Sequence, residues 1–67
     1  MIRQWLRDKR VSRELTQKAM AEMAGISQPS YHQIESGDNN PSVETAKKIA
    51  AVLGFDWVMF FPDEKGE

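Results

Sequence analysis

The chain of 67 residues contains no cysteine and only one histidine. Disulfides and thiolate metal sites are therefore excluded, and a single imidazole does not make a metal site alone. No apolar run approaches the ~20 residues needed to cross a membrane, and the segment MIRQWLRDKR has charges where a secretory signal would be apolar. We expect a cytoplasmic protein with no metal, cofactor or membrane partner, which folds by packing alone.

The sequence also lacks strand-like alternation, internal repeats and low-complexity tracts. A chain this short has room for one small hydrophobic core. Apolar residues recur at helical spacing, so we expect one all-α domain of five helices over residues 1–67, with an acidic tail at 62–67. On this interpretation the protein has no separate sensor domain.

Charge is distributed unevenly, although the net charge is only −1. Residues 1–18 carry six positive and two negative side chains, whereas residues 19–67 carry three positive and eight negative ones. Such a split can mark one face for phosphate and leave the remainder to keep the protein soluble. The alternative is that the first helix is only a basic, solvated helix, and composition does not separate the two.

The stretch from Leu15 to Glu35 reads as two short helices joined at a glycine. Thr16 and Ser27 each precede a helical pattern, and such side chains accept hydrogen bonds from the N–H groups of a first turn. Gly25 lies between them, where a left-handed backbone would end the first helix. The inward residues are Met20, Ala21 and Ala24 in one helix and Tyr31 and Ile34 in the other. This layout over residues 16–36 predicts a helix-turn-helix, whose leading partner is double-stranded DNA.

Two further helices are predicted on either side of this motif. Residues 2–12 form the first, and on one side of it lie Ile2, Trp5 and Leu6. Ser42 caps the other, which ends at Gly54. Its apolar stripe consists of Val43, Ala46, Ile49, Ala50 and Leu53.

The C-terminal segment FDWVMFF is unusually aromatic. Asp56 caps a last short helix that Pro62 ends, and Phe55 and Phe60 have the spacing of a hydrophobic staple. We expect Phe55 and Trp57 to fill the core. The candidates for contacts in a homodimer are Val58, Phe60 and Phe61. The alternative is that all of these residues close the core of a monomer.

The sequence lacks the residues that a nucleophilic or acid–base catalytic site would need. His32 has no cysteine and no obvious serine partner, and no pair of carboxylates lies near it in the sequence, so we expect no enzyme. The outward face of the third helix favours base recognition instead, because glutamine pairs bidentately with adenine in the major groove, and Gln28 and Gln33 are the chief candidates. Ser27, Ser30 and His32 could contact phosphate or bases beside them. Taken alone, the same face favours a merely solvated helix by roughly three to one.

A spaced set of residues runs through most of the chain: Thr16-Gln17, Ala21, Gly25-Ile26-Ser27, Ile34-Glu35, Gly37, Pro41-Ser42 and Ile49 through Leu53-Gly54, with Arg10 in the first helix. In these residues the chain resembles the helix-turn-helix domains of phage repressors, the Cro and lambda-repressor type, also called the xenobiotic-response-element type. The resemblance implies a compact five-helix fold and a DNA-binding transcriptional regulator, a small bacterial or phage repressor with no small-molecule ligand.

The same resemblance implies roles for individual residues. Gln17, with Thr16 at the start of the second helix, is expected to hold a DNA phosphate. The base-reading positions are Gln28, Pro29, His32 and Gln33. Arg10 is expected to form a structural ion pair with Glu35. Members of the family commonly bind palindromic sites as dimers, with recognition helices about 34 Å apart.

Two departures from the family pattern weaken the electrostatic part of the hypothesis. The loop after Gly37 often carries Lys or Arg in the family, whereas this sequence has Asp38-Asn39-Asn40. Asp38 repels phosphate, although Asn39 and Asn40 still donate hydrogen bonds to it. Pro29 offers only an apolar contact, for example to a thymine methyl group. We therefore expect modest affinity with a shallow salt dependence, and the rival hypothesis is an antitoxin-like protein-interaction module or a helix-turn-helix without DNA binding.

Overall fold

Four α-helices and one turn of 3-10 helix make up the computed structural model, which describes residues 2–61 and contains no strand over that range. The elements are α1 (Gln4–Ser12), α2 (Gln17–Ala24), α3 (Gln28–Ser36), α4 (Val43–Leu53) and the 3-10 turn (Trp57–Phe60). Helix α2 packs against both α3 and α4, α1 packs against α3, and the 3-10 turn packs against α4. The all-α prediction is confirmed, and the helix-turn-helix consists of α2 and α3.

Short polar side chains begin three of the helices, as the sequence predicted. The Oγ1 atom of Thr16 accepts a hydrogen bond from the N–H of Ala19 at 3.0 Å, and the Oγ atom of Ser27 accepts one from the N–H of Ser30 at 3.2 Å. Ser42 caps α4 in the same way. Each cap satisfies an N–H group that the helix itself leaves without a partner, which sets where the helix starts.

The core is formed by the inward sides of these helices together with Phe60 of the 3-10 turn. The largest fully buried side chains are Tyr31, Leu6, Met20 and Ile49. Ala21 and Ala24 are buried as well, and their small size allows α2 to lie close to its neighbours. The inward faces predicted for α2 and α3 are therefore confirmed.

The fifth helix was predicted wrongly, because the segment after Asp56 forms only a four-residue 3-10 turn. The Oδ1 atom of Asp56 accepts a hydrogen bond from the N–H of Val58 at 3.1 Å, so the predicted cap is present. The backbone then leaves helical geometry at Phe61, where φ is −130°. So short a segment favours the tighter 3-10 form. Pro62 and the acidic tail at 62–67 lie outside the described residues.

Two residues that the sequence places on the apolar sides of their helices are exposed instead. Ile2 precedes α1 and is 52% exposed, and Val43 at the first position of α4 is 48% exposed. Both have the right helical spacing, but no neighbouring helix covers them fully. Periodicity indicates the direction of a side chain, and it does not indicate whether another helix reaches that far.

The end of α1 has a feature that the sequence did not indicate. Glu14 has φ of +58°, the left-handed conformation that usually selects glycine after a helix. The N–H of Leu15 donates to the carbonyl of Arg10 at 3.3 Å across this turn, which closes the last turn of α1. The chain is therefore strained by a non-glycine residue between α1 and the helix-turn-helix.

Within residues 2–61, none of the helices is long and apolar enough to cross a membrane.

Candidate nucleic-acid interface

A short turn at Gly25 joins α2 and α3, which pack against each other. Gly25 has φ of +74°, and its N–H donates to the carbonyl of Glu22 at 3.2 Å. A side chain at this position would meet no atom within 4 Å, so backbone conformation and not space favours glycine here. Ile26 then returns to the core side, and Ser27 begins α3.

Helix α3 has an inner and an outer face. Tyr31 and Ile34 face the core, at 0% and 5% exposure. The exposed face carries Gln28, Pro29, His32 and Gln33, the four residues predicted to read bases. Pro29 lies in the first turn, where its missing N–H costs no intrahelical hydrogen bond. The outer face is thus a polar surface presented from a helix that Tyr31 anchors in the core.

Glu35 holds this helix to the rest of the fold, although it is a charged residue only 4% exposed. The Nε atom of Arg10 lies 2.7 Å from Oε2 of Glu35, and a second guanidinium nitrogen donates to Oε1 at 3.1 Å. The hydroxyl of Tyr31 donates to Oε2 at 2.9 Å, and the amide of Gln17 donates to Oε1 at 2.8 Å. The Arg10–Glu35 ion pair is present, and it belongs to a larger cluster that joins α1, α2 and α3.

The cluster changes the proton affinities of its members. Burial alone would raise the pKa of Glu35, but the hydrogen bonds from Arg10, Gln17 and Tyr31 outweigh it and lower that pKa below its ordinary value. Burial, followed by the hydrogen bond to Glu35, raises the pKa of the Tyr31 hydroxyl, which therefore stays a donor. The hydrogen bond to Glu35 likewise raises the pKa of Arg10. Glu35 is accordingly a carboxylate in the folded protein.

Gln17 lies at the start of α2, as predicted, and its side chain makes two contacts within the protein. Its amide nitrogen donates to Glu35, and its Oε1 atom lies 3.1 Å from Nδ1 of His32 on the outer face of α3. The predicted phosphate contact of the Gln17 side chain therefore has only its second amide hydrogen to use. Thr16 and Ser27 also use their side-chain oxygens as caps, while both remain exposed at the starts of α2 and α3. Ser30 is exposed beside them, and it accepts a hydrogen bond from the Ser27 hydroxyl at 2.8 Å.

A cleft of about 170 Å³ lies beside His32, and Arg7 lines it together with Gln17. Arg7 is exposed and was not predicted as an interface residue. The missed signal was helical spacing, because Arg7 precedes Arg10 by three residues and therefore lies on the same side of α1. Since Arg10 faces α3, its neighbour one turn earlier does so as well.

The loop after α3 is held by Arg3 and by contacts between its own side chains. Arg3 donates to the backbone carbonyls of Ile34 and Asn39, and to Oδ1 of Asn40 at 2.7 Å. The amide of Asn39 donates to Oε1 of Gln33. The two asparagines expected to face phosphate thus also make contacts within the protein, and Asn39 supports the base-reading candidate Gln33.

Most of the positively charged side chains in residues 1–18 contact other parts of the protein. Arg3 and Arg10 hold the loop and Glu35, and Arg13 donates to the carbonyl of Leu53 at 3.1 Å, at the C-terminus of α4. Lys9 lies 5.5 Å from the ring centre of Phe55. The side chains of this basic segment that remain exposed without such a contact are Arg7 and Lys18. Fewer positively charged side chains are therefore left to bind DNA phosphate than the sequence suggests.

The C-terminal aromatic residues divide between the core and a surface groove. Phe60 is 5% exposed and packs against the rings of Trp5 and Phe55, with centroid distances of 5.2 and 5.7 Å. Its assignment as a dimer contact was wrong, because the 3-10 turn directs its ring inward. Trp57, expected to fill the core, is only half-buried. An apolar groove of about 250 Å³, hereafter the C-terminal groove, is lined by Val43, Trp57, Val58 and Phe61.

Among residues 2–61, no three His, Asp or Glu side chains are grouped so that they could hold a metal ion.

Comparison with known proteins places this arrangement in a family. The model of the helix-turn-helix family matches residues 6–60. The chain is 44% identical over 63 residues to the uncharacterized HTH-type transcriptional regulator YqaF of Bacillus subtilis (strain 168), and the match covers 94% of this chain and 83% of YqaF. It is 37% identical over 49 residues to the cryptic phage CTXphi transcriptional repressor RstR of Vibrio cholerae, covering 73% of this chain and 44% of RstR.

A solved structure has the same fold. The crystal structure of an HTH_3 family transcriptional regulator from Vibrio cholerae superposes with a TM-score of 0.71 at 36% sequence identity, covering 88% of this chain and 33% of that chain. The family match extends over nearly all described residues, from α1 through the 3-10 turn. The chain therefore belongs to the helix-turn-helix family of the Cro and lambda-repressor type.

Proposed function

We propose that this protein is a sequence-specific transcriptional regulator, a small repressor of bacterial or phage type that binds double-stranded DNA and reads the major groove with α3. The observation that carries the proposal is the outer face of α3, where Gln28, His32 and Gln33 are exposed on a helix anchored by Tyr31 and the Glu35 cluster. Two relatives are named as transcriptional regulators, one of them a repressor. The mechanism is occupation of a promoter, with no chemical step.

Base recognition is assigned to the first two turns of α3. Gln28 is at the N-terminal end that a recognition helix directs toward base edges, and its amide can pair with adenine. Gln33 lies further along the helix, where the amide of Asn39 restrains its Oε1 atom while leaving its own amide nitrogen to donate. Pro29 supplies an apolar contact between them. Restraint before binding reduces the conformational entropy that a side chain loses on the DNA.

Phosphate contacts are assigned to the rim around this face. The proposed donors are Thr16, Gln17, Ser27, Ser30, Asn39 and Asn40, to which the structure leads us to add Arg7 and Lys18. If these two cations supply the ion pairs with phosphate, the slope of log affinity against log salt should be about −2 per protomer. So small a value is consistent with binding that depends on base contacts more than on charge.

The first experiment selects duplexes from a random pool with the purified protein. Binding of the best duplex and of a scrambled one is then measured over a salt series. We expect a clear preference for the selected duplex and the shallow slope given above. Equal and negligible binding of both duplexes would refute the proposal that the protein is a transcriptional regulator.

A matched pair of substitutions then tests α3 itself. Gln33→Ala should weaken the selected site by about 1–3 kcal/mol and scrambled DNA far less. Gln4→Ala makes the same chemical change on an exposed residue of α1, and it should alter neither the affinity for the selected site nor the affinity for scrambled DNA. A uniform loss for Gln33→Ala across both duplexes would reassign Gln33 to positioning on the backbone.

We also propose that the protein binds its site as a homodimer through the C-terminal groove. The groove exposes apolar surface on Val43, which is 48% exposed, and on the half-buried Val58 and Phe61. A two-fold dimer would place two copies of α3 on one side of the DNA, about one helical turn apart. Sedimentation of Phe61→Asp beside Val11→Asp, which alters an exposed apolar residue outside the groove, tests this. Dimers lost only in the Phe61 variant support the proposal, and monomers for the unmutated protein at all concentrations refute it.

A further inference from the structure

Gln17 connects the buried carboxylate of Glu35 with the outer face of α3. Its Nε2 atom lies 2.8 Å from Oε1 of Glu35, and its Oε1 atom lies 3.1 Å from Nδ1 of His32. The side chain is half-buried at the start of α2, whereas the ring of His32 is exposed. A continuous chain of hydrogen bonds therefore runs from Arg10 and Tyr31 through Glu35 and Gln17 to a residue proposed to read bases.

The direction of each hydrogen bond in this chain follows from chemistry. A carboxylate only accepts, so the Gln17 amide must direct its NH₂ group toward Glu35. The hydrogen bonds and ion pair around Glu35 keep it ionised, which rules out the reversed amide. The carbonyl oxygen of Gln17 then faces His32, and because that oxygen only accepts, the Nδ1 atom of His32 must carry the hydrogen.

The position of this hydrogen decides what His32 offers to DNA. In a neutral imidazole one nitrogen donates and the other accepts. With the hydrogen on Nδ1, the Nε2 atom of this exposed residue has a lone pair and is an acceptor. In the major groove the donors are the exocyclic amines, N6 of adenine and N4 of cytosine, whereas guanine O6 and thymine O4 are acceptors that would repel Nε2.

We propose that Gln17 is a positioning residue that holds His32 with its hydrogen on Nδ1, so that Nε2 selects adenine or cytosine over guanine or thymine at one base of the site. This inference rests on the proposed function for its base selection, whereas the hydrogen position is a property of the protein alone. Gln17 acts here through His32 and does not itself contact the base.

The hydrogen position is measured without DNA. Long-range ¹H–¹⁵N correlation spectra of the neutral ring distinguish hydrogen on Nδ1 from hydrogen on Nε2 through the ring C–H protons. We expect the Nδ1–H form in the unmutated protein. Gln17→Met keeps the length of the side chain but removes both hydrogen bonds, so it should shift His32 away from that form. Lys18→Met makes the same replacement at the next, exposed residue and should leave the spectrum of His32 unchanged.

The base preference is then measured on the selected duplex, with each base pair in turn replaced by the other three. At one position the unmutated protein should prefer an amine-bearing base by about tenfold. His32→Ala and Gln17→Met should both lose this preference while they retain preferences elsewhere in the site. Lys18→Met should weaken all duplexes alike and retain it. Thermal melts establish that each variant is folded.

The hydrogen position on His32 and the base preference of the protein are tested by separate results. Hydrogen on Nε2 in the unmutated protein, or a spectrum of His32 unmoved by Gln17→Met, would overturn the inference whatever the DNA results. A uniform loss of affinity for Gln17→Met with the preference intact would also overturn it and would return Gln17 to a phosphate contact. Absence of any selected duplex would refute the proposed function, while the spectra would still decide where the hydrogen lies.

Discussion

Replacing Glu35 by glutamine tests whether the buried cluster holds α3 in place. The substitution keeps the shape of the side chain but removes the charge opposite Arg10, whose side chain is 12% exposed. It also places an NH₂ group among the donors of Arg10, Gln17 and Tyr31, so at least one close pair of donors results. Breaking one side of a buried ion pair typically costs about 3–5 kcal/mol, because the remaining charge loses its partner.

The expected size of this effect follows from the exposure of the pair. Because the Arg10 side chain keeps some contact with solvent, we expect a loss near the lower limit, about 3 kcal/mol. A domain of this length has a total stability of about 3–10 kcal/mol, so the loss is a large fraction of it. The midpoint of thermal unfolding should fall by about 10–25 °C. Urea denaturation followed by circular dichroism measures the same change at constant temperature.

Glu44→Gln is the matched control for this prediction. Glu44 pairs with Lys48 at 4.0 Å on the surface of α4, with side-chain exposures of 83% and 48%. An exposed ion pair of this kind contributes little, so the control should change stability by no more than about 0.5 kcal/mol. Equal effects of Glu35→Gln and Glu44→Gln would refute the reasoning, because the structural role of Glu35 would then be no greater than that of a surface charge.

Three further predictions follow from the same structure. The pKa of Glu35 is lower in the folded than in the unfolded chain, so the unfolded chain binds more protons in acid. The free energy of unfolding should therefore fall as the pH drops from about 5 through the folded pKa, and the Glu35→Gln variant should lack this part of the pH dependence. Glu14→Gly should raise the free energy of unfolding by about 1 kcal/mol, since it relieves a left-handed backbone, and a loss in urea denaturation would contradict this. Phe60→Ala should cost about 3–5 kcal/mol because its ring is buried, whereas a cost below about 1 kcal/mol would mean that the ring is not part of the core.

Helix boundaries were predictable because their signals are local. Thr16 and Ser27 cap N–H groups only three residues away, and Gly25 adopts its left-handed conformation without contacts to distant side chains. Glu14 had no such signal, since glutamate rarely ends a helix in this conformation. The last segment was misjudged because four residues after a cap can form either one α-helical turn or a 3-10 turn.

The candidate interface was predicted in composition but not in its contacts. The outer face of α3 follows from 3.6-residue periodicity once Tyr31 and Ile34 are assigned to the core. The Arg10–Glu35 pair came from the resemblance to a family and not from spacing. Arg7 and the double contact of Gln17 were missed, because both depend on how α1 and α2 approach α3.

By itself the sequence determined the helices of the helix-turn-helix, the direction of their apolar faces and the residues exposed on α3. These features depend on hydrogen bonds and side-chain spacing within one or two turns of the chain. Only the tertiary structure decided that Phe60 fills the core, that most basic side chains of residues 1–18 contact other parts of the protein, and that Gln17 links Glu35 to His32. Those outcomes depend on pairs of atoms far apart in sequence, whose distances are set only when the helices pack against one another.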